Sequence, residues 1–311
     1  MRELHAAIVT GPTGAIGYAL CKRLVGEGIK VVAIVHPGSQ RLKSLGELDR
    51  VQTMACDLAE LATLPARLGN MAADAFFHLA WAGTTGAGRN DMSRQVDNIR
   101  YTLDACKAAK ELGCSVFVGA GSQAEYGRHD EALTPHTPCF PESGYGMAKL
   151  CAGQMSRAVC KELGMDHIWP RILSVYGPHD GKGAMIPSVI RKLLAGEKPS
   201  MTPGTQIWDY LYADDAAEAL LRMALFGKDG AIYPLGSGTA RPLRQYVEAI
   251  RDAIDPALPV GFGEMAFAPG QVMRLEADIS ALSADTGFAP KVDFESGIRQ
   301  TIEWIKEHGN E

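Results

Sequence analysis

No apolar stretch in this 311-residue chain approaches the roughly 18 residues that a membrane-spanning helix needs. Basic runs are also missing: 31 Lys and Arg stand against 36 Asp and Glu, a net charge of −5. A partner held by clustered cations is therefore not expected, which excludes nucleic acid as well as membrane. Cysteines are few, seven in all at 21, 56, 106, 114, 139, 151 and 160, and no two have C-x-x-C spacing. An odd number without paired spacing reads as reduced thiols rather than a disulfide framework. The eight histidines are scattered, so no metal site is expected. Repeats and low-complexity tracts are absent, and no cleavage pattern precedes the first apolar run, so the expectation is a cytoplasmic chain. What is present is 46% hydrophobic residues, enough for a large core that needs no staple.

The apolar residues fall in an alternating order. Short runs rich in Val, Ile and Phe stand at His5–Thr10, Lys30–Val35, Val51–Ala55, Ala75–Leu79, Ser115–Gly119 and His167–Leu173, as strands buried on both faces would read. Helical patterns lie between them. Gly14–Glu27 carries Ile16, Leu20, Leu24 and Val25 on one stripe, Asn90–Leu112 carries Val96, Ile99, Leu103 and Cys106, and Gly146–Leu163 follows the fifth strand. Strand–helix alternation predicts an α/β fold, a doubly wound parallel sheet with helices on both faces. After about Leu173 the order breaks down, with helices predicted at Met185–Ala195, Ala213–Phe226, Pro242–Ile254 and Phe294–His308 and a returning strand at Ala231–Leu235. Residues 1–173 plus 206–235 are expected to form the main unit, and 174–205 plus 236–311 a smaller mixed α/β lobe.

The first strand runs into Thr10-Gly11-Pro12-Thr13-Gly14-Ala15-Ile16-Gly17, a G-x-x-G-x-x-G turn that opens the first helix. Glycines there permit a tight turn, close approach of backbone to a pyrophosphate, and close packing of helix on strand. The helix start adds free N–H groups and partial positive charge. In that position the turn predicts a dinucleotide site. An acid about 20 residues on would accept the adenosine ribose hydroxyls of NAD. The second strand instead ends Val35-His36-Pro37-Gly38-Ser39-Gln40-Arg41. His36, Ser39 and Arg41 suit a 2′-phosphate, so NADP(H) is the expected cofactor, with NAD(H) as the alternative. Asp57, followed by Leu58 after the third strand, suits either contact with adenine or the N-cap of the next helix.

Past the fifth strand the chain reads Gly121-Ser122-Gln123-Ala124-Glu125-Tyr126-Gly127, and later Tyr145-Gly146-Met147-Ala148-Lys149. Tyr145 and Lys149, spaced i,i+4, share a helix face. A phenol titrating near pH ~10 transfers protons poorly at neutral pH. A neighbouring ammonium and a nearby nicotinamide charge favour the phenolate and bring it into range for acid–base work. Ser122, at the end of a central strand, is placed to hydrogen-bond a reacting oxygen.

These segments together make the chain resemble an extended short-chain dehydrogenase/reductase of the nucleotide-sugar epimerase/dehydratase/reductase branch, with its Rossmann fold. TGPTGAIG, FFHLAWAG, GAGSQAEYG, YGMAK, RILSVYGP and WDYLYADDAAEAL occur in the family's order, and PGQVMRLEADISAL resembles its C-terminal nucleotide-contact segment. The resemblance implies that Ser122, Tyr145 and Lys149 are the catalytic trio. It implies that Leu79, Ala80 and Trp81 line the cofactor, with Asn98 behind them. Arg274 would approach the nucleotide diphosphate, and the chain would form a homodimer through the helices at 90–112 and 146–163. Dehydratases of the branch place an Asp-Glu pair after the catalytic Ser or Thr, and here Gln123-Ala124 stands there. Its 4-epimerases carry an acid after the second strand and an Asn where Ser174 stands. Relatives that perform a 3,5-epimerisation use a Cys where Ala124 stands, beside a His matching His179, which leaves His179 as a substrate contact or a loop residue. Cys139 reads as a small loop residue rather than a catalytic thiol. The pattern is closest to NADPH-dependent reductases of nucleotide-linked 4-keto-6-deoxy sugars. The rival readings are a UDP-sugar 4-epimerase with bound NAD, a reductase of non-sugar ketones, and a non-catalytic NADP-sensing protein.

Overall fold

The computed structural model describes residues 1–39, 41, 43–46 and 48–309. Its strands in chain order are β1 (Ala6–Thr10), β2 (Lys30–Val35), β3 (Val51–Ala55), β4 (Ala75–His78), β5 (Val116–Gly119), β6 (Gly121–Ser122), β7 (Asp166–Ile172), β8 (Ser174–Tyr176), β9 (Ser200–Met201), β10 (Ile207–Tyr212), β11 (Ile232–Leu235), β12 (Ala240–Pro242), β13 (Gly261–Phe262) and β14 (Arg274–Leu275). The helices are α1 (Ala15–Gly26), α2 (Lys43–Gly46), α3 (Leu64–Leu68), α4 (Met92–Glu111), α5 (Gly144–Glu162), α6 (Met185–Leu194), α7 (Ala213–Phe226), α8 (Leu243–Ile254), α9 (Ser280–Thr286) and α10 (Phe294–Glu307).

The main sheet is parallel in the order β11-β7-β5-β4-β1-β2-β3, with β6 pairing β7 beyond the end of β5. The chain winds outward from β1 through β2 to β3, then returns to β4 on the other side of β1. Thr10 sits in register with both Ile34 and His78, so the carboxyl ends of β1 and β4 open together at the point where the order reverses. Ligands of doubly wound sheets bind at such a point. Val116–Gly119 is wholly buried because helices cover both faces of a central strand, whereas the edge strand Val51–Ala55 is half exposed. One face is closed by α1, α7 and α9, the other by α4 and α5.

Helix α4 departs from expectation. Its buried residues are Gln95, Asn98, Thr102, Ala105, Cys106, Ala108 and Ala109, while Val96 points outward at 62% exposure. Of the expected stripe only Cys106 is buried, Ile99 and Leu103 are half-buried and Val96 is exposed, so small and polar residues make most of the face that lies against α5 and the sheet. Residues 206–235, expected with the main unit, are divided. Strand β10 builds a second sheet with β8, β12 and β14, whereas α7 packs on α1 and β11 closes the main sheet beside β7. A separate apolar cluster from α6, α8 and α10 backs that second sheet. No helix is long and apolar enough to cross a membrane among the described residues.

Candidate active site

The turn between β1 and α1 is built as its glycines require. Gly11 has φ +70°, and a Cβ on Gly17 would lie 2.1 Å from the Gly11 carbonyl oxygen, so helix and turn meet only without side chains there. Gly14 is different: a Cβ on it would meet nothing within 4 Å. It is the N-cap of α1, no side chain caps the helix, and no acid stands in the first turn. The amides at the start of α1, at Ala15 and Ile16 beside Thr13, thus have no side-chain cap, and the space next to Gly14 is open.

At the adenosine end, His36 Nδ1 accepts from the Gly38 N–H at 3.0 Å, and the Ser39 N–H donates to the His36 carbonyl at 2.9 Å. His36 Nε2 lies 3.3 Å from Asp57 Oδ2. Asp57 also accepts from the Ala59 N–H at 2.9 Å, capping the short helical turn that begins at Leu58. Both readings of Asp57 therefore stay compatible with its place, although its cap is the contact formed. Arg41 Nη1 donates to the His179 carbonyl at 3.2 Å and so ties this end to the loop after β8.

The exit of β4 is held from below. Thr10 Oγ1 accepts from the N–H groups of Leu79 and Ala80 at 3.1 and 3.2 Å and pairs with His78 Nδ1 at 3.0 Å. Burial, with the Lys149 ammonium nearby, pushes the His78 imidazole down to about 3. Asn98, behind the loop, accepts from the Ala82 N–H and donates back to its carbonyl, each at 2.9 Å. Trp81 donates to Gln95 Oε1 at 2.8 Å. The resemblance places these residues along the cofactor, and their bonds fix the loop that would line it.

Ser122, Tyr145 and Lys149 come together where that loop meets the ends of β5 and β6. Ser143 caps α5, accepting from the Gly146 N–H at 3.2 Å, which sets Tyr145 in the first turn. Ser122 stands beside Tyr145 and favours its phenolate, the Tyr145 ring stands edge-on to Trp81 at 6.1 Å, and the Arg89 guanidinium covers it at 4.4 Å. Lys149 Nζ donates to the Ala120 carbonyl at 2.6 Å and lies 3.7 Å from the Trp81 ring centroid but 5.9 Å from that of Tyr145. The expected tuning runs the other way here. Burial raises the Tyr145 phenol above its ordinary value despite Ser122 and Arg89, and burial pushes the Lys149 amine down to about 7. Desolvation disfavours both charged forms more than the neighbours favour them.

Three substrate-side residues are spread apart. Ser174 Oγ accepts from Trp208 Nε1 at 2.8 Å, and Trp208 with Tyr210, Met185, Val189, Met201 and Gln206 lines a cavity of about 470 Å³. Arg274 Nη2 pairs with Glu276 at 2.5 Å, and its buried Nε has no partner among the described residues. His179, expected as a substrate contact or a loop residue, lies in the loop after β8 at φ +63°, and its ring packs against Tyr18 and Trp304 at 4.0 and 4.7 Å. Burial holds it neutral at about 4. Cys139 is a loop residue close to Arg171 and Glu125. The sequence reading passes over Glu125, Trp169 and Arg171, which form a buried cluster under Ser122. Its signal is the S-x-x-E of Ser122 to Glu125, a capping box.

The profile of the NAD dependent epimerase/dehydratase family matches residues 7–236. A dTDP-glucose 4,6-dehydratase of Xanthomonas campestris pv. campestris is 27% identical over 330 residues, covering 96% of this chain and 92% of that one. Among solved structures, the UDP-N-acetylglucosamine 4-epimerase of Methanobrevibacter ruminantium, in complex with UDP-N-acetylmuramic acid, superposes with a TM-score of 0.87 at 24% identity, over 99% of both chains. The dTDP-glucose 4,6-dehydratase of Bacillus anthracis, in complex with NAD, gives 0.84 at 19% identity over 97% of both chains. With the family profile spanning most of the chain and the fold shared along its whole length, this protein belongs to the NAD dependent epimerase/dehydratase family, a group of extended short-chain dehydrogenase/reductases.

Proposed function

We propose that this enzyme transfers hydride from NADPH to a carbonyl carbon, carbon 4 of a nucleotide-linked 4-keto-6-deoxy sugar. The observation that carries the reading is the trio gathered at the ends of β5 and β6: Lys149 bonded to the Ala120 carbonyl and over Trp81, with Tyr145 edge-on to the same indole and beside Ser122. In this reading Tyr145 gives its proton to the sugar oxygen, Ser122 stabilises the charge developing there, and Lys149 holds the nicotinamide ribose. Gln123-Ala124 supplies neither an acid nor a base next to Ser122, which disfavours elimination of water from the sugar. The cavity lined by Trp208, whose indole donates to Ser174, has the volume and mixed apolar and polar lining that suit a nucleotide. A second reading, 4-epimerisation with retained NAD, uses the same trio for oxidation and re-reduction, and 4-epimerases stand among the similar structures. The test is NADPH oxidation with dTDP-4-keto-6-deoxyglucose, together with the nicotinamide absorbance of the purified protein. The reductase reading expects turnover and little bound cofactor. Tightly bound NAD with conversion of UDP-glucose to UDP-galactose would replace it.

The absence of an acid at the end of β2, with His36, Ser39 and Arg41 there instead, supports NADP(H) over NAD(H). Arg41→Ala is expected to weaken NADPH by about 1–3 kcal/mol and to leave NAD almost unchanged. Tenfold tighter NAD than NADPH binding by the wild type in fluorescence titration would overturn the preference.

The outward faces of α4 and α5 support a homodimer. Met92 and Val96 are 55% and 62% exposed, and Met147 and Met155 51% and 44%. Large apolar side chains exposed on two long helices that pack against each other suit an interface. Light scattering at micromolar concentration should give twice the chain mass, and Val96→Glu should give one chain mass.

A further inference from the structure

Beneath the trio lies a charge pair to which the proposed reaction gives no task. Arg171 Nε donates to Glu125 Oε2 at 2.7 Å, and the two side chains are only 3% and 1% exposed. A pair so far from water adds little net stability over apolar residues of the same volume. The other bonds of the carboxylate show what it holds. Glu125 Oε1 accepts from the Ser122 backbone N–H at 2.8 Å and from the Trp169 indole N–H at 3.0 Å. Two residues of β7 thus fix one carboxylate, and the carboxylate fixes the main chain of Ser122. On the other side of the turn, Ser122 Oγ accepts from the Ala124 N–H at 3.2 Å. A hydroxyl has one hydrogen to give and two lone pairs. With a backbone N–H occupying a lone pair, the hydrogen is turned away from the Ala124 amide, and Tyr145 is the neighbour whose phenolate Ser122 favours.

We infer that Glu125, clamped by Arg171 and Trp169, is a positioning residue that locks Ser122 with its single hydroxyl hydrogen aimed into the site, at Tyr145 before substrate binds and at the reacting oxygen afterwards. This rests on the hydride-transfer reading above. Glu125 touches neither substrate nor cofactor and acts through the main chain of Ser122. Donors to a developing oxyanion stabilise it only when already aimed, so a serine free to turn loses that effect even though its hydroxyl remains.

A double-mutant cycle on Glu125 and Ser122 tests this, with kcat and KM measured for NADPH and dTDP-4-keto-6-deoxyglucose. Glu125→Gln keeps the shape and removes the charge that gathers the three donors. It should lower kcat by about 10–100-fold in the wild type with KM little changed, and should have no further effect on Ser122→Ala. An equal fall on both backgrounds, or unchanged kcat in Glu125→Gln, overturns the inference. Because Arg171 left unpaired can unfold the chain, Trp169→Phe provides a second cycle that keeps both charges and removes one N–H. Its kcat should fall several-fold on the wild type and not at all on Ser122→Ala. If the wild type turns over no nucleotide sugar, the hydride-transfer reading fails instead. The clamp is then read from the Tyr145 phenol titration, taken as the ultraviolet difference between each protein and its Tyr145→Phe counterpart. Trp169→Phe should raise the midpoint on the wild type and leave it in place on Ser122→Ala, whereas no shift or equal shifts overturn the inference.

Discussion

Tyr145→Phe is expected to lower turnover by roughly 10²–10⁴, the usual worth of a positioned acid, with cofactor affinity nearly unchanged. The ring itself is well held: Trp81 meets its edge and Arg89 its face, and a phenylalanine keeps both contacts. What disappears is the hydroxyl, with its proton and its place beside Ser122. Burial raises the phenol above its ordinary value, so at neutral pH it is fully protonated. That is the state reduction needs, because the substrate oxygen gains a proton as the carbon gains hydride. The effect should therefore fall on kcat. Initial rates of NADPH oxidation, beside a fluorescence titration with NADPH, separate chemistry from binding. A variant that turns over at close to the wild-type rate would mean that the proton comes from elsewhere. His179 is poorly suited to replace it, since its ring packs against Tyr18 and Trp304 and is held neutral.

The main sheet is legible in the sequence because a strand covered on both faces must be apolar throughout, as Val116–Gly119 is. The glycine turn is legible because φ +70° at Gly11 and the close approach at Gly17 exclude side chains. Strand β10 is not legible in the same way. Ile207–Tyr212 alternates aromatic residues with Asp209, and that carboxylate is buried only because loop N–H groups of Ser237, Gly238 and Ala277 converge on it. Those partners lie far along the chain, so no local pattern announces them. Burial explains the reversed tuning in the trio as well. Spacing puts Tyr145 and Lys149 on one helix face, but it carries no information on how much water the packed loops remove. Helix α4 fails for a related reason: periodicity finds its apolar stripe, yet close packing against α5 selects the face of Ala, Thr and Asn. Glu125 is the residue whose local signal is present and easily passed over. A capping box ordinarily marks a helix start, and only the fold shows that Arg171 and Trp169 turn this one into a clamp.

Lys149→Met should impair binding and chemistry together and also leave a signature in stability that depends on pH. The amine is buried, donates to the Ala120 carbonyl at 2.6 Å, and lies over Trp81. Methionine fills much of that space without a donor for the ribose hydroxyls. NADPH affinity should fall by about ten- to a hundredfold, as for a lost charged hydrogen bond, and turnover by roughly 10²–10⁴. Burial holds the Lys149 amine down at about 7, with Glu125 opposing the shift in part. In the unfolded chain a lysine titrates near pH ~10.4. Between those values the unfolded state holds a proton that the folded state has released, so wild-type stability rises with pH across that window. Below about pH 7 both states carry the charge, and the penalty of burying it is constant and at its largest. The variant has no such group. Its melting temperature relative to wild type should therefore be highest at or below about pH 7, and the advantage should shrink as pH rises toward about 10. Melting curves of the cofactor-free proteins across that range check the sign. A difference that stays flat with pH would show that the amine does not titrate there, and the loss of binding in Lys149→Met would then be one of shape and hydrogen bonding alone.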